Sequence, residues 1–262
     1  MKHIARKRFG QHFLADQSVI DDIIAAIRPE AGDALVEIGP GLGALTRPLC
    51  KMLDHLHVIE IDRDIIARLR EDYPAARLTV HSGDVLEFAF DALPSGLRVV
   101  GNLPYNISTP LLFHLAGYAE RVRDLHFMLQ KEVVERMVAP PGGRAYGRLS
   151  VMLQYRFDMQ LLFEVAAEAF MPPPKVRSAV VRMLPRPAAQ LAAASEARLE
   201  QVVRSAFSQR RKTLRNSLAG LLQVPDFEAL GIAAGKRAEN LTVADYVAIS
   251  NHLAGKEDLP AH

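Results

Sequence analysis

The chain has 262 residues, of which 49% are hydrophobic and 24% charged, and its formal net charge is +2. This balance is typical of a globular protein and excludes a disordered or strongly acidic chain. No apolar run approaches the ~20 residues of a membrane-spanning helix. The only cysteine, Cys50, excludes an intrachain disulfide and favours a reducing compartment, so we expect a cytoplasmic location.

The first half of the chain alternates between short apolar runs and amphipathic segments, after an initial helix predicted over residues 18–28 with Asp16 or Ser18 as its N-cap. Such alternation predicts βαβ units and a mostly parallel sheet. The predicted strands are residues 34–38, 56–60, 78–81, 97–101 and 124–129, and the predicted helices are residues 43–53, 62–72, 108–117 and 131–138.

The second half changes character after two more predicted strands, at about residues 155–163 and 178–184, which we expect to close the sheet as an antiparallel pair. Composition shifts at Leu184-Pro185-Arg186-Pro187, and no strand pattern returns. Residues 188–222 are predicted to be helical. The sequence therefore predicts an α/β domain over residues 1–187 and a small all-helical domain over residues 188–262.

A glycine-rich turn, Gly39-Pro40-Gly41-Leu42-Gly43, joins the first strand of the predicted sheet to a helix. Glycines at this point let the backbone approach a ligand, and Glu60 ends the next strand, where an acid can bind a ribose diol. A nicotinamide dinucleotide and S-adenosylmethionine both fit so far. The Gly-x-Gly-x-Gly spacing and a second acid, Asp84, favour the methyl donor. Either acid alone also fits a helix cap or a loop.

The tetrapeptide Asn102-Leu103-Pro104-Tyr105 follows the apolar run 97–100, at the end of a predicted buried strand. Ligands bind at this edge of open α/β sheets. The Asn102 side chain and the Leu103 carbonyl can accept the two hydrogens of a flat amine, while Tyr105 covers its ring. An ordinary strand followed by a proline turn explains the tetrapeptide equally well.

Basic residues cluster at the N-terminus and between residues 204 and 216, with no acid in either segment. Clusters of this kind suit phosphate contacts, although each alone also fits a solvated surface. Two further arginines flank the glycine-rich loop 140–147. The predicted RNA-binding residues are Arg6, Lys7, Arg8, Arg144, Arg148, Arg210, Arg211 and Lys212. No histidine has metal-ligand spacing, so we expect no metal.

Several segments, taken in order, resemble the motifs of the ribosomal RNA adenine dimethyltransferases. They are residues 9–14, 39–43, 102–107 and 170–176, with Glu60 and Gly83-Asp84 between them. Residues 207–214 are similar to the C-terminal signature of the small-subunit branch. The resemblance covers about residues 8–250. It implies a Rossmann-like class I methyltransferase fold and dimethylation of adenine N6 amines in small-subunit ribosomal RNA, within an immature subunit. We expect a monomer.

The resemblance also implies roles for individual residues. It implies methyl-donor contacts from His12, Leu14, Gly39, Gly41, Glu60, Asp84 and Asn102. It implies contacts to the target adenine from Asn102, Leu103, Pro104, Tyr105 and Phe170, with the two aromatic rings on either side of the base. His12 stands where many members have asparagine, which adds a possible pH dependence.

Three alternatives remain open at the level of sequence. A large-subunit methyltransferase that confers macrolide resistance is close, but residues 207–214 argue against it. An RNA-binding assembly or transcription factor that has lost catalysis is disfavoured by the intact Glu60, Asp84 and residues 102–105. A dehydrogenase is the third alternative.

Overall fold

The computed structural model describes residues 12–209 and 211–257. Contacts divide the chain into two compact units, of which unit 1 comprises residues 1–134 and 158–185 and unit 2 comprises residues 135–157 and 186–262. The predicted boundary at residue 187 thus lies close to the start of the second stretch of unit 2. Residues 135–157, which the sequence assigned to the α/β domain, belong to unit 2 instead.

Unit 1 alternates strands and helices as the sequence pattern predicts. Its strands are β1 (Phe13–Leu14), β2 (Leu35–Ile38), β3 (Leu56–Glu60), β4 (Leu78–Ser82), β5 (Leu97–Asn102), β6 (Val122–Gln130), β7 (Phe157–Val165), β8 (Phe170–Met171) and β9 (Ser178–Pro185). Its helices are α1 (Gln17–Ile27), α2 (Thr46–Met52), α3 (Arg63–Asp72) and α4 (Ser108–Ala116), and α5 (Lys131–Val138) crosses into unit 2.

Seven strands form the main sheet in the order β4-β3-β2-β5-β6-β9-β7, and β1 pairs with β8 in a separate two-stranded sheet. The first five strands of the main sheet are parallel, whereas β9 runs antiparallel to β6. Strand order reverses between β2 and β5, so their carboxyl ends flank the crevice where open α/β sheets bind ligands. All four residues of β2 are buried, as expected for a central parallel strand.

The start of α1 shows how local sequence fixes an element. The Asp16 side chain accepts hydrogen bonds from the backbone N–H groups of Ser18 and Val19, which confirms Asp16 as the N-cap. Ile20, Ile23 and Ile27 are buried on one face of the helix. The predicted strand at 155–163 is displaced, because residues up to Arg156 belong to a helix and β7 begins at Phe157.

Helices joined by turns make up most of the described part of unit 2. It contains α6 (Arg148–Arg156), α7 (Glu196–Phe207), α8 (Leu214–Ser217), α9 (Val224–Ala229) and α10 (Val243–Glu257). The sequence predicted helix over all of residues 188–222, whereas the structure interrupts it. Ser195 caps α7 through its side-chain oxygen, and α7 ends at Phe207. Its core includes Tyr146, Leu199 and Tyr246. Among the described residues of the whole chain, every helix is too short or too polar to span a bilayer.

Candidate active site

A cavity of about 300 Å³ opens at the carboxyl ends of β2, β3 and β5 in unit 1. This is the crevice that the reversal of strand order creates. All seven residues predicted to contact a methyl donor line it, namely His12, Leu14, Gly39, Gly41, Glu60, Asp84 and Asn102. Leu103, Pro104 and Tyr105 line the same cavity. The chain thus brings the glycine-rich turn, both strand-end acids and the tetrapeptide to one place.

The glycine-rich turn forms one wall of the cavity. Gly39, Gly41 and Gly43 have φ angles of 66°, 53° and 82°, a left-handed conformation that other residues adopt at a cost. A Cβ on Gly41 would also lie 3.1 Å from the ring of Phe13. The turn therefore needs glycine both for its backbone and for its contact with β1. Gly39, Pro40, Gly41 and Leu42 of the turn line the cavity.

Glu60 is held in a fixed orientation at the end of β3. Its Oε1 accepts hydrogen bonds of 2.8 Å from the backbone N–H groups of Ile61 and Asp62. A carboxylate has about four acceptor positions, so Glu60 can also accept from a further donor, such as a hydroxyl. Burial raises the pKa of Glu60, and hydrogen bonds from the backbone N–H groups of Asp62, Ile61 and Gly41 act in the opposite direction. Asp84 is exposed at the cavity edge and accepts from Leu86 N–H at 2.9 Å.

A third acid, Glu37, lies in the cavity wall and was missed by the sequence analysis. It is only 2% exposed and accepts a 2.7 Å hydrogen bond from Thr46 Oγ1. Burial raises its pKa to about 7, with the nearby Glu60 charge acting in the same direction. A signal was present in the sequence, since Glu37 interrupts the apolar run of a central strand, where a charged residue is costly.

The raised pKa of Glu37 predicts a specific pH dependence of stability. The folded state holds this proton more tightly than the unfolded chain, so stability falls as pH rises from about 4.5 towards 7. Glu37→Gln removes the titration. We expect the variant to gain stability relative to the native chain across this window, by roughly 3 kcal/mol. Urea unfolding of both proteins over this pH range measures the difference, and a pH-independent difference would contradict the assignment.

The Asn102 side chain is oriented by a contact outside its own strand. Its Nδ2 donates a 3.1 Å hydrogen bond to the His12 carbonyl oxygen, which directs Oδ1 away from that carbonyl. Tyr105 donates or accepts a 2.8 Å bond with Ser178 Oγ, and its ring stacks on that of His12 at a centroid distance of 5.9 Å. His12 Nδ1 in turn bonds the Pro172 carbonyl at 2.8 Å. The segment before β1 thus braces both Asn102 and Tyr105.

Phe170 is not brought to the cavity. Its ring is 3% exposed and packs in the core of unit 1, and the residue pairs with Leu14 between β8 and β1. The sequence analysis expected this ring to cover one face of a flat base. The rings of Phe13 and Tyr105 line the cavity, and that of Phe170 does not.

The predicted basic residues are divided between described and undescribed parts of the chain. Arg6, Lys7, Arg8 and Arg210 lie outside the described residues. Arg144 is exposed in the loop before α6. Arg148 pairs with Glu200 in unit 2 at 2.7 Å. Arg211 and Lys212 are exposed in the turn between α7 and α8.

The fold enlarges the basic cluster at this turn with two residues that the sequence analysis missed. Thr213 forms an antiparallel bridge with Arg237, and Leu214 N–H donates to the Lys236 carbonyl. Lys236 and Arg237 are both exposed, and they lie more than twenty positions further along the chain than Arg211 and Lys212. We call this surface the unit 2 basic patch. It consists of Arg211, Lys212, Lys236 and Arg237.

The features described so far define a Rossmann-like methyltransferase. They are the parallel strand order β4-β3-β2-β5-β6, the glycine-rich turn after β2 and the acids at the carboxyl ends of β3 and β4. The ribosomal RNA adenine dimethylase family matches residues 2–255. The chain belongs to that family, whose methyl donor is S-adenosylmethionine.

Similar proteins agree with this assignment. The chain is 65% identical to a ribosomal RNA small subunit methyltransferase A from Aromatoleum aromaticum, over 97% of this chain and 96% of that protein. It is 61% identical to a protein of the same description from Thiobacillus denitrificans, over 96% and 99% of the two chains.

Solved structures share the fold. A dimethyladenosine transferase from Plasmodium falciparum superimposes with a TM-score of 0.81 at 27% identity, over 94% of this chain and 98% of that one. The 23S rRNA methyltransferase ErmE gives a TM-score of 0.73 at 24% identity, over 92% and 99% of the chains, which shows the fold alone.

The residues lining the cavity suit S-adenosylmethionine. The Glu60 carboxylate lines the cavity and would accept hydrogen bonds from the ribose hydroxyls, and the side chains of Ile61 and Val85 offer apolar surface for the adenine ring. Asp84 at the edge can accept from the adenine amine. Along the glycine turn, the absence of Cβ atoms leaves room for the methionine portion.

Proposed function

We propose that the protein dimethylates the N6 amine of adenines in small-subunit ribosomal RNA during ribosome assembly. The observation that carries this proposal is the position of Asn102, whose amide oxygen is directed by the His12 contact at the edge of the donor cavity. The high identity to proteins described as small-subunit methyltransferases supports the choice of RNA.

Methyl transfer to an adenine amine depends more on the positioning of the amine than on acid or base groups. An adenine amine is a weak nucleophile because its lone pair is delocalised into the ring. Hydrogen bonds to the Asn102 oxygen and the Leu103 carbonyl favour the pyramidal amine, and their dipoles stabilise the positive charge that develops on nitrogen. Bound S-adenosylmethionine supplies an already electrophilic methyl group. Tyr105 holds the ring by stacking, worth roughly 1–3 kcal/mol.

Binding of the adenine requires that the base leave its helix or loop and enter the cavity edge. Asn106, which follows Tyr105 in the chain, lines the cavity and is exposed to solvent. A second methylation requires the same pocket to admit an amine that already carries one methyl group. The first transfer breaks the donor's sulfur–methyl bond and the methylated amine loses one proton to solvent, so a single hydrogen remains on nitrogen. We propose that the second transfer keeps one of the two acceptor contacts.

The role of Glu60 is tested by Glu60→Gln. The glutamine Oε1 can still accept hydrogen bonds from Ile61 and Asp62. Its NH₂ group replaces the second carboxylate oxygen, so a neutral donor stands where the native protein has a charged acceptor. We expect donor affinity to fall by about tenfold to a hundredfold, measured by calorimetric titration with S-adenosylmethionine. Glu71→Gln, on the exposed face of α3, is the matched control and should bind as the native protein does. Equal affinities for both variants would contradict the ribose contact.

We propose that unit 2 contacts ribosomal RNA through its basic patch. Four cations on one exposed surface, contributed by two separate segments, fit a phosphate backbone better than scattered surface charges do. Arg144 and Arg148 are proposed as further contacts from unit 2, and Arg6, Lys7, Arg8 and Arg210 complete the set that the sequence predicts. The RNA is proposed to be that of an immature small subunit, bound by a monomer.

The patch makes a prediction for salt dependence. Lys236→Ala with Arg237→Ala removes two phosphate contacts, so affinity for subunit RNA should fall and the slope of log K against log salt should decrease by about 1.5. Arg63→Ala with Arg70→Ala removes two exposed arginines from α3 and serves as the control. Filter binding at several salt concentrations gives the slopes. An unchanged slope together with lower thermal stability would make the patch structural.

The only cysteine of the chain bears on the cellular compartment in which the protein works. Cys50 is the only cysteine and is a buried free thiol. We propose that the protein works in the cytoplasm, where thiols stay reduced. No described group of three or more histidine, cysteine or acidic side chains has the arrangement to hold a metal ion.

A further inference from the structure

A second cavity, of about 370 Å³, lies in unit 1 at the opposite end of β5 from Asn102. Three adjacent strands supply its floor. Arg98 of β5 pairs in register with Asp124 of β6, and His126 of β6 pairs with Arg182 of β9. Directly paired residues project on the same face of a sheet, so these four side chains form a row. Arg28, at the end of α1, contributes to the wall.

Part of this row is a closed ionic framework. Arg98 is 4% exposed, and its Nε donates at 3.1 Å to each carboxylate oxygen of Asp124. Its Nη1 donates to Asp33 at 2.6 Å, and Asp33 also pairs with Arg123 at 2.9 Å. These contacts fix Arg98 and Arg123 in place and satisfy the two aspartates.

The remaining groups are not satisfied within the described chain. His126 is 3% exposed, and its Nε2 has no hydrogen-bond partner, whereas its Nδ1 lies 3.5 Å from the nearest Asp124 oxygen. Arg28 and Arg182 are exposed, with no described carboxylate within ion-pair distance. Buried polar groups nearly always have a partner, so the unpartnered Nε2 of His126 beside two unpaired guanidinium groups points to a ligand.

The charge of the lining indicates the sign of that ligand. Four arginines face three carboxylates, those of Glu30, Asp33 and Asp124, which leaves an excess of positive charge before His126 is counted. Guanidinium groups bind tetrahedral oxyanions through paired N–H donors, and a neutral imidazole adds one more donor.

We infer that this cavity is a binding site for a phosphate group, held by Arg28, Arg182 and His126. The phosphate belongs either to an RNA backbone or to a small free phosphate compound. The site is separate from the donor cavity, and binding there is independent of methyl transfer. The inference therefore does not depend on the proposed function, and each can fail without the other.

Nuclear magnetic resonance of protein labelled with ¹⁵N at histidine tests the inference. The His126 ring signals are identified by their loss in His126→Gln, and pyrophosphate is then added at constant ionic strength. We expect a saturable shift of these signals. In Arg28→Ala with Arg182→Ala, the affinity should fall by about tenfold or more. Arg63→Ala with Arg70→Ala, from α3, should leave it unchanged.

A short single-stranded RNA is the second probe, and it distinguishes the two sources of phosphate. If the RNA shifts the His126 signals and displaces pyrophosphate, the backbone is the ligand. If only pyrophosphate does so, the ligand is a small phosphate compound. His126 signals that respond to neither probe, or equal affinities in the two double variants, would overturn the inference. S-adenosylmethionine affinity is measured on each variant to show that unit 1 remains folded.

Discussion

Asn102→Ala should reduce the maximal rate of methyl transfer by about a hundredfold to a thousandfold. The change removes one of the two acceptors proposed to shape and stabilise the reacting amine, and the loss of a preorganised dipole typically costs this much. It also removes the Nδ2 bond to the His12 carbonyl. The rate constant kcat under saturating donor and RNA is the measurement. A kcat within a few-fold of native would show that Asn102 is not part of the reaction.

Asn102→Asp separates the two functions of this side chain. Aspartate keeps an acceptor oxygen but loses the N–H that bonds the His12 carbonyl. If acceptance from the amine is the main role, the aspartate variant should retain far more activity than the alanine variant. If the two variants are equally slow, Asn102 acts by positioning the segment around His12, and the assignment of the acceptor changes.

Gly101→Ala is expected to cause the second large effect, on stability and donor binding together. A Cβ at residue 101 would lie 2.6 Å from the Ile38 carbonyl oxygen and 3.1 Å from the Leu103 side chain. Since the 2.6 Å contact is with backbone, relief requires β2 and β5 to move apart. Overpacking of this kind costs about 3 kcal/mol. Both strands end at the cavity, so S-adenosylmethionine affinity should fall as well.

Gly32→Ala provides the matched control for this substitution. No atom lies within 4 Å of a Cβ built on Gly32. We expect its unfolding free energy to stay within about 0.5 kcal/mol of native. Denaturant unfolding of the three proteins gives the comparison. Equal stability of both alanine variants would mean that the strands at the crevice accommodate a side chain, contrary to the packing described.

Much of unit 1 was predictable because its signals are local and repeated. Short apolar runs gave the parallel strands to within a residue or two, and glycines and acids at strand ends marked the cavity. All seven predicted donor contacts line it. Parallel strands place their carboxyl ends along one edge, so residues far apart in sequence meet there without further information.

The sequence-based predictions of domain membership and site residues failed where long-range tertiary contacts place a residue. Residues 135–157 join unit 2 through long-range packing, as when Tyr146 is buried with Tyr246, which no local pattern shows. Lys236 and Arg237 became part of the basic patch through a bridge to Thr213. The position of Phe170 depends on the pairing of two-residue strands, and Glu37 depends on Thr46 for its hydrogen bond.

The most direct test of the central claim is nucleoside mass spectrometry after reaction with labelled S-adenosylmethionine and immature small ribosomal subunits that lack the modification. We predict labelled N6,N6-dimethyladenosine in the small-subunit RNA, formed about a hundredfold to a thousandfold more slowly with Asn102→Ala. A parallel reaction contains large-subunit RNA instead. Dimethyladenosine only in that reaction, or no labelled nucleoside despite tight binding of the small subunit, would contradict the proposed function.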